Sequence, residues 1–248
     1  MTSAGAPISF NITPTNLDSA LRYSAVIDLL DYRPNLSIVE VGSGSGGLTE
    51  FLRHRVTGVD LAFERTTDRG TDYLDPVEGS ADDLPFPDDS FDVGVSVEML
   101  EHLPGQKREA AVTELVRVVR PGGRVIITFP ADELGAQLDA WLNRSFRART
   151  GAEHPWVSEH LTNGHPKTDE IVRWAERSLD GNGTVRVQKH LSPSVFRLVH
   201  GLYTVNRGHP MTKVVGLRTN LAARRIFRAV RRQVPADGYR TILVIDKG

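Results

Sequence analysis

The chain contains no cysteine, which excludes disulfides, thiolate metal sites and cysteine nucleophiles. No apolar run approaches the roughly 18–20 residues that a membrane-spanning helix needs. The opening residues Met1 to Pro7 lack the basic start and apolar run of a signal peptide, so a cytoplasmic protein is expected. There is no internal repeat and no low-complexity tract. Net charge is nearly absent too: 30 Lys and Arg stand against 31 Asp and Glu, giving −1, so nucleic acid is not expected as a partner. That balance conceals an asymmetry. Residues 60–101 carry 13 acids against only Arg65 and Arg69, while residues 207–232 carry seven Arg and Lys213 with no acid. The basic segment could meet an anionic membrane surface or substrate through a helix around 217–233.

What is present is ordinary globular material: 248 residues, 40% hydrophobic and 25% charged, enough for a sizeable core. Strand-like and helix-like segments alternate from about residue 15 to 130, which predicts an α/β fold. Thr15 with Asp18 resembles a capping-box helix start, followed by Tyr23, Val26, Ile27 and Leu30 at helical spacing. Strands are expected at 37–41, at 55–59 ending on Asp60, and at 91–97. A helix carrying Val112, Leu115, Val116 and Val119 comes next, and Pro121-Gly122-Gly123 turns the chain into a strand at 124–129. Beyond residue 130 the rhythm changes. Residues 131–166 read as one helix and then a loop rich in His and Pro, 168–179 as a helix, 184–190 as a strand, and 241–245 as the strand that closes the sheet. The expectation is one domain, with its core at about 15–130, 167–190 and 239–248. Cap insertions occupy about 131–166 and 191–238.

Residues 39–47, Val-Glu-Val-Gly-Ser-Gly-Ser-Gly-Gly, place a glycine turn between a strand and a helix, where a ligand can approach bare backbone. Gly42, Gly44 and Gly47 also satisfy the G-x-G-x-x-G fingerprint of dinucleotide enzymes, so an NAD-dependent oxidoreductase stays open at this point. Glu40 beside the loop suits a cationic sulfonium ligand better than a pyrophosphate. Asp60 can grip a ribose diol in either family.

Four segments together resemble class I S-adenosylmethionine-dependent methyltransferases. Glu40, Gly42, Gly44 and Gly46 match an acid followed by G-x-G-x-G. Gly79 to Asp92, reading GSADDLPFPDDSFD, is similar to the segment leading into the family's fourth strand. Glu98-Met99-Leu100-Glu101-His102-Leu103 follows that strand, and Arg117 to Gly123 resembles the turn before the fifth. The resemblance implies a Rossmann-like, doubly wound, mostly parallel sheet with an antiparallel last strand and helical cap insertions, and S-adenosylmethionine as cofactor. It also implies that Glu40 and the backbone of Gly42, Ser43, Gly44 and Gly46 hold the methionine part. Asp60 would take the ribose hydroxyls, with Leu61 against the adenine, and Val97 is a further candidate cofactor-binding residue. Ser80 stands where many relatives carry an acid; it, Asp82 or the Ala81 amide would reach the adenine edge.

His102, just after a central strand, is the candidate general base. His154, Trp156 and His160 are candidate acceptor-binding residues, joined in the insertions by Trp141, His165, His200, Tyr203 and His209. The histidine spacings fit no common zinc pair. Glu98 and Asp132 with a histidine could be considered as oxygen and imidazole ligands, but form no recognisable ligand spacing, so no metal is assigned. The expected function is methylation of a small molecule, with O-methylation of a glycan or glycolipid-type hydroxyl foremost and C-methylation of a quinone-like or polyketide ring second. A cofactor-binding but inactive protein is the third class.

Overall fold

The computed structural model describes residues 7–63, 71–207 and 213–248. Helix α1 (Leu17–Leu29) leads into β1 (Ile38–Val41), and a 3₁₀ turn (Gly47–Glu50) leads on to β2 (Val56–Asp60). Next come β3 (Leu74–Glu78), β4 (Phe91–Val97), α2 (Gly105–Arg117) and β5 (Val119–Pro130). The second half adds α3 (Asp132–Thr150), α4 (Pro155–Asn163), α5 (Thr168–Leu179), β6 (Gly183–His190), α6 (Pro193–Arg207), α7 (Lys213–Val230) and β7 (Arg240–Lys247).

The seven strands form one sheet in the order β3-β2-β1-β4-β5-β7-β6. β3 through β5 run parallel, and β7 is antiparallel to both β5 and β6. The order reverses beside β1, which opens a crevice at the carboxyl ends of β1 and β4. Strand alternation sorts the core into two layers. Ile38, Ile126, Ile242 and Val244 face α1, α3, α6 and α7, with Leu21, Leu138, Phe196 and Phe227. Val39, Val125, Ile127, Leu243 and Ile245 face α2 and α5, with Leu115 and Ile171.

Five local expectations are corrected. β7 does not close the sheet: it lies inside, and β6 is the edge. Pairing of β5 begins at Val119, before Pro121-Gly122-Gly123; the tripeptide loops out of register and pairing resumes at Arg124 opposite Val93. The segment read as a His- and Pro-rich loop contains α4, because Pro155 occupies its first turn, where a missing N–H costs nothing and the fixed φ suits a helix. The capping box at Thr15 and Asp18 does not form: Asn16 is the N-cap and makes no side-chain cap bond. Its side chain accepts from Thr13 N at 2.8 Å, and Asp18 is drawn into the ion pairs described below. The basic helix ends at Val230 rather than 233. Among the described residues no helix is long and apolar enough to cross a membrane.

Candidate functional site

A cavity of about 850 Å³ opens at the carboxyl ends of β1, β2 and β4 and is roofed by α4 and α6. Its floor is the glycine loop. Gly42 and Gly44 have φ of 80° and 54°, the left-handed region that suits glycine. A Cβ on Gly42 would run into Met99, whereas one on Gly44 would meet nothing within 4 Å, so Gly44 keeps the backbone bare where the cavity begins. Asp60 fixes this loop: Oδ2 accepts from Gly44 N at 2.8 Å and Oδ1 from Leu61 N at 2.8 Å. Ser43, Gly46, Leu61, Ser80, Ala81 and Val97 also line the space.

Two expected wall residues stand elsewhere. Glu40 is fully buried behind the loop rather than on the cavity wall. It accepts from Leu48 N at 2.6 Å and Tyr23 Oη at 2.9 Å, and a Cβ on Gly47 would collide with its carboxylate. Burial pushes its pKa up to about 7, against the opposing pull of the Leu48 and Tyr23 donors. Its direct action is therefore to tie the loop to α1. Asp82 also lies off the wall. It receives the Ser80 hydroxyl, and Lys107 Nζ approaches at 3.0 Å; these donors hold its carboxyl below the usual range.

The opposite end of the cavity is built of histidines. His102 and the buried Glu101 sit on a 3₁₀ turn after β4, and α4 lays His160 against them. His102 Nδ1 lies 2.7 Å from Glu159 Oε2, and its Nε2 lies 3.3 Å from His160 Nε2. Desolvation lowers the His102 pKa, with Glu159 pulling the other way. His160 Nδ1 lies 2.9 Å from Asp139 Oδ2, an atom also 2.8 Å from His165 Nε2. Tyr239 donates to the other Asp139 oxygen at 2.7 Å. His154 is buried against Phe146, Trp156 and Tyr203, and Trp156 is 56% exposed at the rim. All three expected acceptor residues, His154, Trp156 and His160, line the same cavity as the glycine loop.

Residues 39–127 match a family model described as a methyltransferase domain. A tocopherol O-methyltransferase of Arabidopsis thaliana is 30% identical over 170 residues, 64% of this chain and 45% of that one. A 2-methyl-6-phytyl-1,4-hydroquinone methyltransferase of Oryza sativa subsp. japonica is 28% identical over 202 residues, 77% of this chain and 54% of that one. A solved geranyl diphosphate C-methyltransferase from Streptomyces coelicolor superposes with TM-score 0.55 at 17% identity, covering 94% of this chain and 80% of that one. Its likeness is one of fold. Residues 39–127, from β1 into β5, are thereby marked as a methyltransferase domain. The chain spans about half the length of the curated relatives it matches.

Part of this candidate site had no signal in the sequence. Arg240, fully buried, donates to Glu98 and to Asp18 Oδ1 at 2.9 Å, and Arg22 pairs with Asp18 at 2.7 Å. Burial alone would raise the Asp18 carboxyl, but Arg240 and Arg22 hold it well below its ordinary value. Glu98 has φ 54°, a conformation rare outside glycine. Asp18, Arg22 and Glu98 form one cavity wall. Glu98 does not share a ligand set with Asp132, which instead accepts from Thr168 N and Oγ1 at the start of α5. His200 and Tyr203 line the cavity, and His209 lies outside the described residues.

Proposed function

We propose that the protein binds S-adenosylmethionine along the glycine loop and transfers its methyl group to a small acceptor held under α4 and α6. One observation carries this reading. A single cavity of about 850 Å³ runs from Gly44, Asp60 and Ser80 to His102, His160 and Trp156, room for a cofactor and a small acceptor together. Asp60 takes the ribose diol, Leu61 and Ala81 flank the adenine with Ser80 at its edge, and the backbone of Gly42 to Gly46 cradles the methionine part. Val97 closes the wall near the sulfur. When bound, the cofactor supplies an electrophilic methyl, whose bond to sulfur breaks with its electron pair left on sulfur as the acceptor bonds to carbon. The protein's task is alignment and exclusion of water. A hydroxyl acceptor must also lose its proton, and the His102–His160 pair stands where that proton goes.

For the acceptor, Leu142, Val157, Val199 and Tyr203 on the wall favour an apolar or ring-bearing molecule. That agrees with the quinol-type substrates named for the relatives. A glycan or glycolipid hydroxyl is the second reading, favoured by Trp156 exposed at the rim beside His154. On α7, Leu217 and Leu221 are exposed next to Arg218, Arg224 and Arg225, which supports peripheral contact with an anionic membrane. The test is methyl transfer from labelled S-adenosylmethionine to hydroquinones, free sugars and glycolipid precursors. Product mass and fragmentation distinguish O- from C-methylation. Turnover on the ring class is expected. Cofactor binding without turnover on any class would place the chain among inactive cofactor-binding proteins.

A further inference from the structure

Glu101 is fully buried on the cavity wall, yet neither carboxylate oxygen has a hydrogen-bond partner among the described residues. A buried carboxylate left this way is costly unless it meets a cation or a donor. The two imidazoles beside it raise the same demand. Each has Nδ1 against a carboxylate, His102 against Glu159 and His160 against Asp139. A carboxylate accepts and cannot donate, so both rings carry hydrogen on Nδ1. In the neutral rings the Nε2 lone pairs then face each other across 3.3 Å, and a Glu101 carboxylate oxygen and one nitrogen of each ring all lie within 4.8 Å of one another. Three electron-pair donors converge on one point.

From this convergence we infer that Glu101, His102 and His160 bind a divalent transition-metal ion at the acceptor end of the cavity. Zinc–nitrogen bonds are about 2.0–2.1 Å long, which places two tetrahedrally disposed nitrogens about 3.4 Å apart. The observed 3.3 Å fits that span. Glu159 and Asp139 do what outer carboxylates do for metal-bound imidazoles, fixing the tautomer and the ring angle. Asp139 is itself held by His165 and Tyr239, so it supports the site rather than supplying a ligand. One oxygen and two nitrogen donors suit zinc, manganese or ferrous iron better than calcium or magnesium. Three protein ligands leave a coordination position for the acceptor oxygen. With the ion bound, His102 holds metal instead of proton. The ion acidifies the coordinated hydroxyl, whose proton passes to water, and the methyl bonds to that oxygen as it leaves sulfur.

This inference rests on the methyl-transfer reading for its purpose, but its test does not. The whole chain, stripped with chelator, is titrated calorimetrically with Zn²⁺ and with Mn²⁺. One ion per chain is expected, and Glu101→Gln and His160→Ala should each weaken it by about 100-fold or more. Both variants should keep their affinity for S-adenosylmethionine, which also shows that they fold. The visible spectrum of the Co²⁺-loaded parent needs no variant; intense d–d bands of a low-symmetry site are expected. Absence of stoichiometric binding, a hexa-aqua-like cobalt spectrum, or binding indifferent to both substitutions overturns the metal site. If no ion binds and the imidazole pair merely titrates as one unit, a shared proton sits there instead and the inference fails. Loss of cofactor binding in the parent would sink the methyl-transfer reading and leave the metal result standing.

Discussion

Glu40 has no place to put its charge except into the loop it supports. Burial raises its pKa to about 7 from an ordinary 4.5. Between those values the folded state holds a proton that the unfolded chain has released, so stability falls as pH rises. The contribution is complete below pH 4.5 and is lost as pH rises through about 7. Glu40→Gln removes this slope. Urea unfolding measured from pH 4.5 to 8 should show the parent losing on the order of 3 kcal/mol relative to the variant. Parallel stability curves would mean that the Glu40 carboxyl titrates normally. At this scale the sequence was informative about identity and misleading about contact. An acid before G-x-G-x-G marked the family, but only the packing of Tyr23 and Gly47 around it shows that it braces the loop from behind.

At the scale of elements, strands and helices with clean periodicity were legible, among them β4, α2 and α5. Their apolar positions repeat at the spacing of the layer they cover. Helix α4 was not legible, since Glu153-His154-Pro155 reads as a breaker when proline is not weighed as a first-turn residue. β3 offered only Leu74 and Val77 as apolar signal, with acids at 72, 75 and 78. α4 carries Trp156 and His160 to the cavity, so without that helix the distance between His102 and His160 is unreadable. Because Trp156 is half exposed, Trp156→Ala should leave thermal stability within about 0.5 kcal/mol of the parent. It should raise the acceptor's KM by about tenfold through lost contact area, with cofactor affinity unchanged. Steady-state kinetics beside calorimetry check this. An unaltered KM would remove α4's rim from the acceptor site.

Across the whole molecule, Arg240 joins three distant pieces of chain: α1 through Asp18, the turn after β4 through Glu98, and β7 itself. Partners 222 and 142 residues away leave no local pattern, which is why this wall was invisible in the sequence. Arg240→Met strands two carboxylates in a low-dielectric setting and should cost about 3–5 kcal/mol in urea unfolding. Adding Asp18→Asn and Glu98→Gln should recover much of that loss, because the uncompensated charges go too. A single-variant cost under about 1 kcal/mol would show the network to be solvated. The same assembly brings the family loop, the charged wall and the histidine end around one space, and the account stands on that space holding S-adenosylmethionine. Calorimetric titration of the cofactor into the parent and into Gly44→Val tests this most directly. A valine there is strained at φ 54° and projects a side chain into the open floor. The account predicts that the parent binds and that the folded variant, verified by its melting curve, loses affinity by a factor of about 30 or more. Equal affinity in the two proteins, or none in the parent, would contradict it.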